Sequence, residues 1–190
     1  MNTTVSPSNQ PTALVTQLTK YAAYHRDPRN IATHYVGVPM IVLAVTSFLS
    51  RPGFELMGVM LSPVWFVIPL AALFYFRLDA RYGATMTALL LLCGFISSFI
   101  TAQSTLVWAL TSTALFVVGW VIQFIGHYYE GKKPAFVDDL VGLLLGPLFV
   151  TAEIGFNLGL RLEVKTEIES KVGPTRLRTI GSTGSPTLSK

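Results

Sequence analysis

Residues 83–126 read GATMTALLLLCGFISSFI-TAQS-TLVWALTSTALFVVGWVIQFIG: two apolar runs, 83–100 and 105–126, joined by four small or polar residues, with no charged side chain throughout. A helix needs about 20 consecutive apolar residues to cross a bilayer core. Backbone amides in lipid find no water, so each run must satisfy its own as a helix. The joint at 101–104 is too short for anything but a turn, which makes the two runs antiparallel neighbours. The fold class follows: an all-α, multi-pass transmembrane helical bundle.

Composition agrees. The 190 residues are 51% hydrophobic and 13% charged, whereas soluble domains carry about 25% charged residues. The net charge of +4 gathers near the ends of apolar runs and in the tail. That placement suits cytoplasmic loops and gives no nucleic-acid surface. The single cysteine, Cys93, sits inside an apolar run, excludes an internal disulfide and reads as a buried small hydrophobe. The opening residues MNTTVSPSNQPT lack the basic and apolar regions of a cleavable signal peptide.

Towards the N-terminus, residues 54–76 predict a further span bent at Pro63 and Pro69. Residues 28–49 predict another, with Asp27 as cap, Pro28 in the first helical position, and Arg51-Pro52-Gly53 as terminator. Before it, Leu14, Val15, Leu18, Tyr21 and Ala22 recur at helical spacing, giving a short amphipathic helix over 12–24. Towards the C-terminus, residues 140–160 are interrupted by Gly142, Gly146-Pro147, Gly155 and Gly159. The expectation is therefore about four spans plus a broken or re-entrant C-terminal helix. Asp138-Asp139 are expected to cap that helix. Three parts result: a polar N-terminal segment with the start of the amphipathic helix (1–20), a membrane-embedded catalytic domain (21–160) and a solvated tail (161–190). Residues 172–190, rich in Ser, Thr, Gly and Pro, are expected to be dispensable.

There are three histidines. His25 precedes the first span, His34 lies in its first turns, and His127 ends the fourth. Histidine is costly among lipid tails, and three imidazoles converging from separate segments suit iron, copper or zinc. On a continuous helix at 3.6 residues per turn, His25 and His34 are about half a turn out of phase. The break at Asp27-Pro28 can fold His25 back. Asn30 and His34 share one helical face, as Gln123, His127 and Glu130 share another. Glu130 is either a ligand or an ion-pair partner of Lys132 or Lys133. Glu153, a carboxylate in an apolar stretch, is expected beside the site. Each histidine also has a plainer reading, as an interfacial hydrogen-bonding group.

The segments YAAYHRDPRNIATHYVGVP (21–39), GWVIQFIGHYYEGKKPAF (119–136) and DDLVGLLLGPLFVTAE (138–153) resemble the yeast-type 2-hydroxy-fatty-acid dioxygenase family over about residues 21–160. The resemblance implies an Fe(2+)-dependent enzyme of fatty-acid α-oxidation and phytosphingosine degradation, which uses O2 to shorten a 2-hydroxy fatty acid by one carbon. It implies His25, His34 and His127 as iron ligands, with Glu130 and Glu153 as further catalytic-site residues. The substrate carboxylate and 2-hydroxyl are expected to chelate the iron, and the acyl chain to lie between helices. Asn30 and Gln123 match the family in order; with Arg26, Lys132 and Lys133 they are candidate substrate contacts. A bacterial inner membrane is the leading location, the endoplasmic reticulum the alternative. A non-catalytic scaffold or small transporter subunit, and a zinc hydrolase, are the competing readings; the absence of HExxH counts against the last.

Basic residues set the orientation. Lys20, Arg26 and Arg29 precede the first span, Arg77 and Arg81 follow the second, and Lys132 and Lys133 follow the fourth. The positive-inside rule puts these loops and both termini in the cytoplasm, with the histidines at that face. A cysteine placed at position 132, with Cys93 first replaced, should therefore label only from the cytoplasmic side; labelling from outside would invert the topology.

Overall fold

In a computed structural model that describes residues 11–134 and 141–179, the chain forms α1 (Ala13–Ala22), α2 (Pro28–Ser50), β1 (Phe54–Leu56), β2 (Val59–Leu61), α3 (Val64–Leu78), α4 (Ala80–Thr101), α5 (Thr105–Glu130), α6 (Gly142–Asn157) and α7 (Leu162–Val172). The architecture is all-α apart from one small hairpin. Helices α2, α4 and α5 are long and apolar enough to cross a membrane, whereas α6 and α7 meet in a bend of 113°. Large apolar side chains such as Leu92, Phe95, Phe99, Val121 and Phe124 face outward. In lipid that costs nothing, so helices here associate through close packing and polar contacts instead.

The α2–α5 pair shows how close. A Cβ on Gly37 would lie 2.8 Å from both Gln123 Nε2 and Gly119 O, and one on Gly119 would lie 2.8 Å from Ile41 Cγ1. A Cβ on Gly126 would collide with Thr33 Oγ1 and Asn30 Oδ1. Glycine thus lets the two backbones touch beside His34 and His127.

A second core lies where the chain leaves the bilayer pattern. The buried stripe of α1 (Leu14, Val15, Leu18, Tyr21, Ala22) packs against α6 and α7 through residues including Leu148, Phe149, Ala152 and Ile168. Thr12 caps α1 by accepting from Val15 N, and Asp27 caps α2 by accepting from Arg29 N.

Two expectations change. The second predicted span is a two-stranded antiparallel hairpin, in register Phe54↔Leu61, followed by a 15-residue helix. Met57 and Gly58, at φ 52 and 79, form a two-residue turn with both central residues left-handed, the geometry that matches strand twist. Pro63 sits at the cap of α3 rather than bending a helix, while Pro69 lies inside it. The tail expected to be solvated from residue 161 is instead helical over α7, with Val164 and Ile168 buried. Arg161 holds it down with two bonds to the Asp79 carboxylate, 3.2 and 3.1 Å, at the α3–α4 junction. Asp138 and Asp139 lie outside the described residues.

Overpacking a tight helix contact costs about 1–3 kcal/mol. Gly126→Val should lower the thermal unfolding temperature in detergent and loosen metal binding at His127. Gly94→Ala, whose Cβ would meet only Ile68 Cδ1 at 3.5 Å, should change neither.

Candidate metal centre

His25 comes from the break between α1 and α2. The chain tightens there, with Tyr24 N bonding Tyr21 O and His25 N bonding Ala22 O, both at 3.0 Å. The His25 ring stacks on Tyr21, centroids 4.2 Å apart and planes within 3°. Its Nδ1 lies 2.8 Å from Tyr21 O. Nearly two turns into α2, His34 Nδ1 lies 2.8 Å from Asn30 O. A carbonyl can only accept, so both rings carry their proton on Nδ1 and turn a lone pair at Nε2 outward. The two Nε2 atoms face each other at 3.0 Å.

Two lone pairs at that distance repel unless a cation lies between or beside them. A proton would charge a fully buried ring; burial, reinforced by the facing His34, holds the His25 imidazole well below its usual range. Neutral imidazole is the form that binds metal. His127, at the end of α5, completes the group: its ring centroid is 5.0 Å from that of His25 and 5.3 Å from that of His34. Its Nδ1 is buried without a hydrogen-bond partner. One nitrogen from each of the three rings falls within 4.8 Å of the others. The pattern of an imidazole whose second nitrogen donates to a carbonyl is that of metal ligands generally. The donor set therefore fits a resident metal, of the kinds that take nitrogen ligands.

Glu130 builds the site without joining it. Its carboxylate accepts from Arg26 N at 3.1 and 2.9 Å, from Asp27 N at 2.8 Å and from Asn30 Nδ2 at 3.2 Å. The expected pairing with Lys132 gives way to this: Lys132 Nζ donates to Ala23 O at 2.7 Å. Lys133 follows on the same loop. Glu153, on α6, lies 3.8 Å from Arg26 NH2. Arg26 spends its Nε on Ala22 O and His25 O and its NH1 on Gly173 O. These groups hold the His25 turn from behind.

A contact the sequence did not announce covers the same turn. Residues 173–179 return across it: Arg176 N donates to Arg26 O, Arg178 N to Asp27 Oδ2 and Arg178 NH1 to Glu130 O, at 2.9, 2.9 and 3.0 Å. Asp27 also holds Arg29 at 2.7 Å, and the Arg29 side chain draws its carboxyl down to about 2. Nothing in Gly-Pro-Thr-Arg-Leu-Arg distinguishes this strap from a solvated tail.

His34 and His127, but not the fully buried His25, open onto a cavity of about 70 Å³ whose walls also include Gln123, Tyr21, Trp120 and Pro147. Gln123 Nε2 is buried there with no partner. Arg26, Lys132 and Glu130 line a different, polar cleft with the 173–179 strap. Of the candidate substrate contacts, the structure brings Gln123 to the histidine cavity and turns Arg26, Lys132 and Asn30 to the bonds described above.

Comparison with known proteins gives two findings. The family described as "2-hydroxy-palmitic acid dioxygenase Mpo1-like" matches residues 12–158. A relative, 2-hydroxy-palmitic acid dioxygenase MPO1 of Saccharomyces cerevisiae, is 33% identical over 158 residues, covering 82% of this chain and 87% of the relative. No solved structure matches.

Leaving buried N–H groups unpaired costs about 1–3 kcal/mol each. Glu130→Ala strands three donors and should lower both stability and metal retention, with Glu130→Gln intermediate. Ending the chain after Val172 removes the strap. It should reduce bound metal per monomer, against the dispensable tail expected from composition; metal analysis of the purified truncation decides between them.

Proposed function

The chain belongs to the 2-hydroxy-palmitic acid dioxygenase Mpo1-like family, and on that footing we propose that it is an Fe(2+)-dependent dioxygenase that shortens 2-hydroxy fatty acids by one carbon, drawing its substrate from the membrane. The observation that carries this reading is the pair of facing Nε2 atoms at 3.0 Å with His127 beside them. A ferrous ion held by His25, His34 and His127 would supply activation of O2 and a Lewis-acid anchor for the substrate's carboxylate and 2-hydroxyl.

The protein's own groups do the rest. Tyr21 O and Asn30 O hold the Nδ1 protons, so both Nε2 lone pairs stay aimed at one point. Gln123 Nε2, unpartnered in the cavity, is placed to donate to an anionic head group. Tyr21, Trp120 and Pro147 give the cavity an apolar wall. Arg26 and Glu153 brace the backbone at His25 rather than meet the substrate. With the basic loops in the cytoplasm, the site lies at the cytoplasmic face, where an amphiphile can enter head first from the leaflet.

The test is anaerobic ferrous loading in detergent, then oxygen-electrode and mass-spectrometric measurement with 2-hydroxypalmitate. Oxygen consumption matched to a product one carbon shorter is expected. His25→Ala, His34→Ala and His127→Ala should each lose most bound iron and nearly all turnover. Glu153→Gln, acting through Arg26, should fall in the milder range of about 10–100-fold. Full iron and full turnover in His34→Ala or His127→Ala would falsify the three-histidine site. Hydrolytic product without oxygen uptake would move the protein to the zinc-hydrolase class, and neither metal nor turnover would leave a scaffold.

A further inference from the structure

The histidine cavity shares part of its wall with a second hollow. Ile41, Val42, Trp120, Leu143 and Pro147 also line a larger hollow of about 340 Å³ between α2, α3, α5 and α6. The chemistry of the wall changes along this path. At the histidine end, Gln123 Nε2 and His127 Nδ1 are buried and unpartnered. Farther on, the polar atoms are already used: Thr46 Oγ1 donates to Val42 O at 2.7 Å and Tyr75 OH to Leu144 O at 2.8 Å. What remains there is hydrocarbon, running past Val45 to Leu49 and Val64 at the far end. A wall that is polar and unsatisfied at one end and apolar at the other fits a single-chain amphiphile.

We propose that the two hollows together form the acyl-chain site, with the head group at His34, His127 and Gln123, the chain passing their shared wall and lying along α2, and Leu49 closing the end and so setting chain length. The identity of the head group rests on the dioxygenase reading; the path of the chain rests on the walls. Val38, Ile41, Val42, Val45 and Leu49 follow helical spacing from His34, so one face of α2 serves as the floor. From His34 to Leu49 the helix rises about 22 Å at 1.5 Å per residue. An extended hydrocarbon advances about 1.25 Å per carbon with ordinary C–C bonds, so the hollow takes a chain on the order of 16–18 carbons.

Binding to metal-free protein at fixed detergent concentration tests this apart from turnover, by displacement of a fluorescent fatty acid with saturated 2-hydroxy acids. Each added methylene should tighten binding about fourfold, the value of about 0.8 kcal/mol per buried CH₂, up to a plateau. Val45→Trp, at a position open enough to admit the ring (40% exposed), should move the plateau down by about five carbons, since four helical residues span about 6 Å. Short acids should bind Val45→Trp as they bind wild type. Leu49→Ala should move the plateau up, and Leu49→Trp down by less than Val45→Trp. An unchanged plateau in all three variants, or an equal loss at every length, overturns the proposal. So does a diacyl phospholipid that competes as well as the matched hydroxy acid, which would mark the hollow as filled by bilayer lipid. A shifted plateau without oxygen uptake on iron loading keeps the chain site and removes the dioxygenase reading; turnover with unshifted plateaus does the reverse.

Discussion

The carboxylate of Glu130 is the constraint from which the site is built. It takes the backbone N–H groups of Arg26 and Asp27 together with the Asn30 amide, the donors that the break between α1 and α2 exposes. A chain break at a membrane boundary leaves such donors bare, and an anion ending the neighbouring helix is the economical way to cover them. One interaction thereby ties the start of α2 to the end of α5. Because His25 precedes those donors and His127 lies three residues before Glu130, satisfying the break also brings the imidazoles together. The glycines at 37, 119 and 126 make this possible by letting the two helices touch.

Much of this was legible in the residues. The apolar runs announced α4 and α5, and Asp27-Pro28 announced the turn that folds His25 onto His34. The span expected at 54–76 begins only at Val64, and its first part forms a hairpin for a local reason. Its apolar residues suit a short strand as well as a helix, and the Met57-Gly58 turn settles the choice through two left-handed residues that periodicity does not register. Glu130 was read as a ligand or an ion-pair partner because its charge was visible, whereas the two backbone amides and the Asn30 side chain that donate to it were not. The strap at 176–178 was missed for the same cause: it acts mainly through main-chain groups, which any sequence possesses. The histidines that face one another and the local Asp27 cap were readable; side chains that serve backbone groups far along the chain were not.

Lipid as solvent explains the division of labour along α2. Its first turns hold His34 and Asn30, and its later turns present Ile41, Val42 and Val45 to an apolar hollow. Where polar groups occur along the way they are consumed internally, as with Ser47 and Ser112, hydroxyl to hydroxyl at 2.8 Å. Of the buried polar side-chain atoms left without a partner, Gln123 Nε2 and His127 Nδ1 lie in the cavity by the metal centre, while Thr19 Oγ1, Asn30 Oδ1, Tyr82 OH and Ser97 Oγ lie elsewhere in the bundle. An unsatisfied donor is expensive away from water, so the pair that faces the cavity suits a place where an incoming molecule meets the protein.

The break that sets His25 apart from His34 also bears on how the protein is made. Glu130 is separated from its Arg26 donor by 104 residues, and Arg178 from Asp27 by 151. During synthesis the first two histidines emerge long before the third, and the strap comes last of all. A nascent or truncated chain therefore offers two imidazoles without the rest of the enclosure. The cover over the His25 turn forms only once residues 173–179 have been made, so the turn is braced after the helices that carry the histidines.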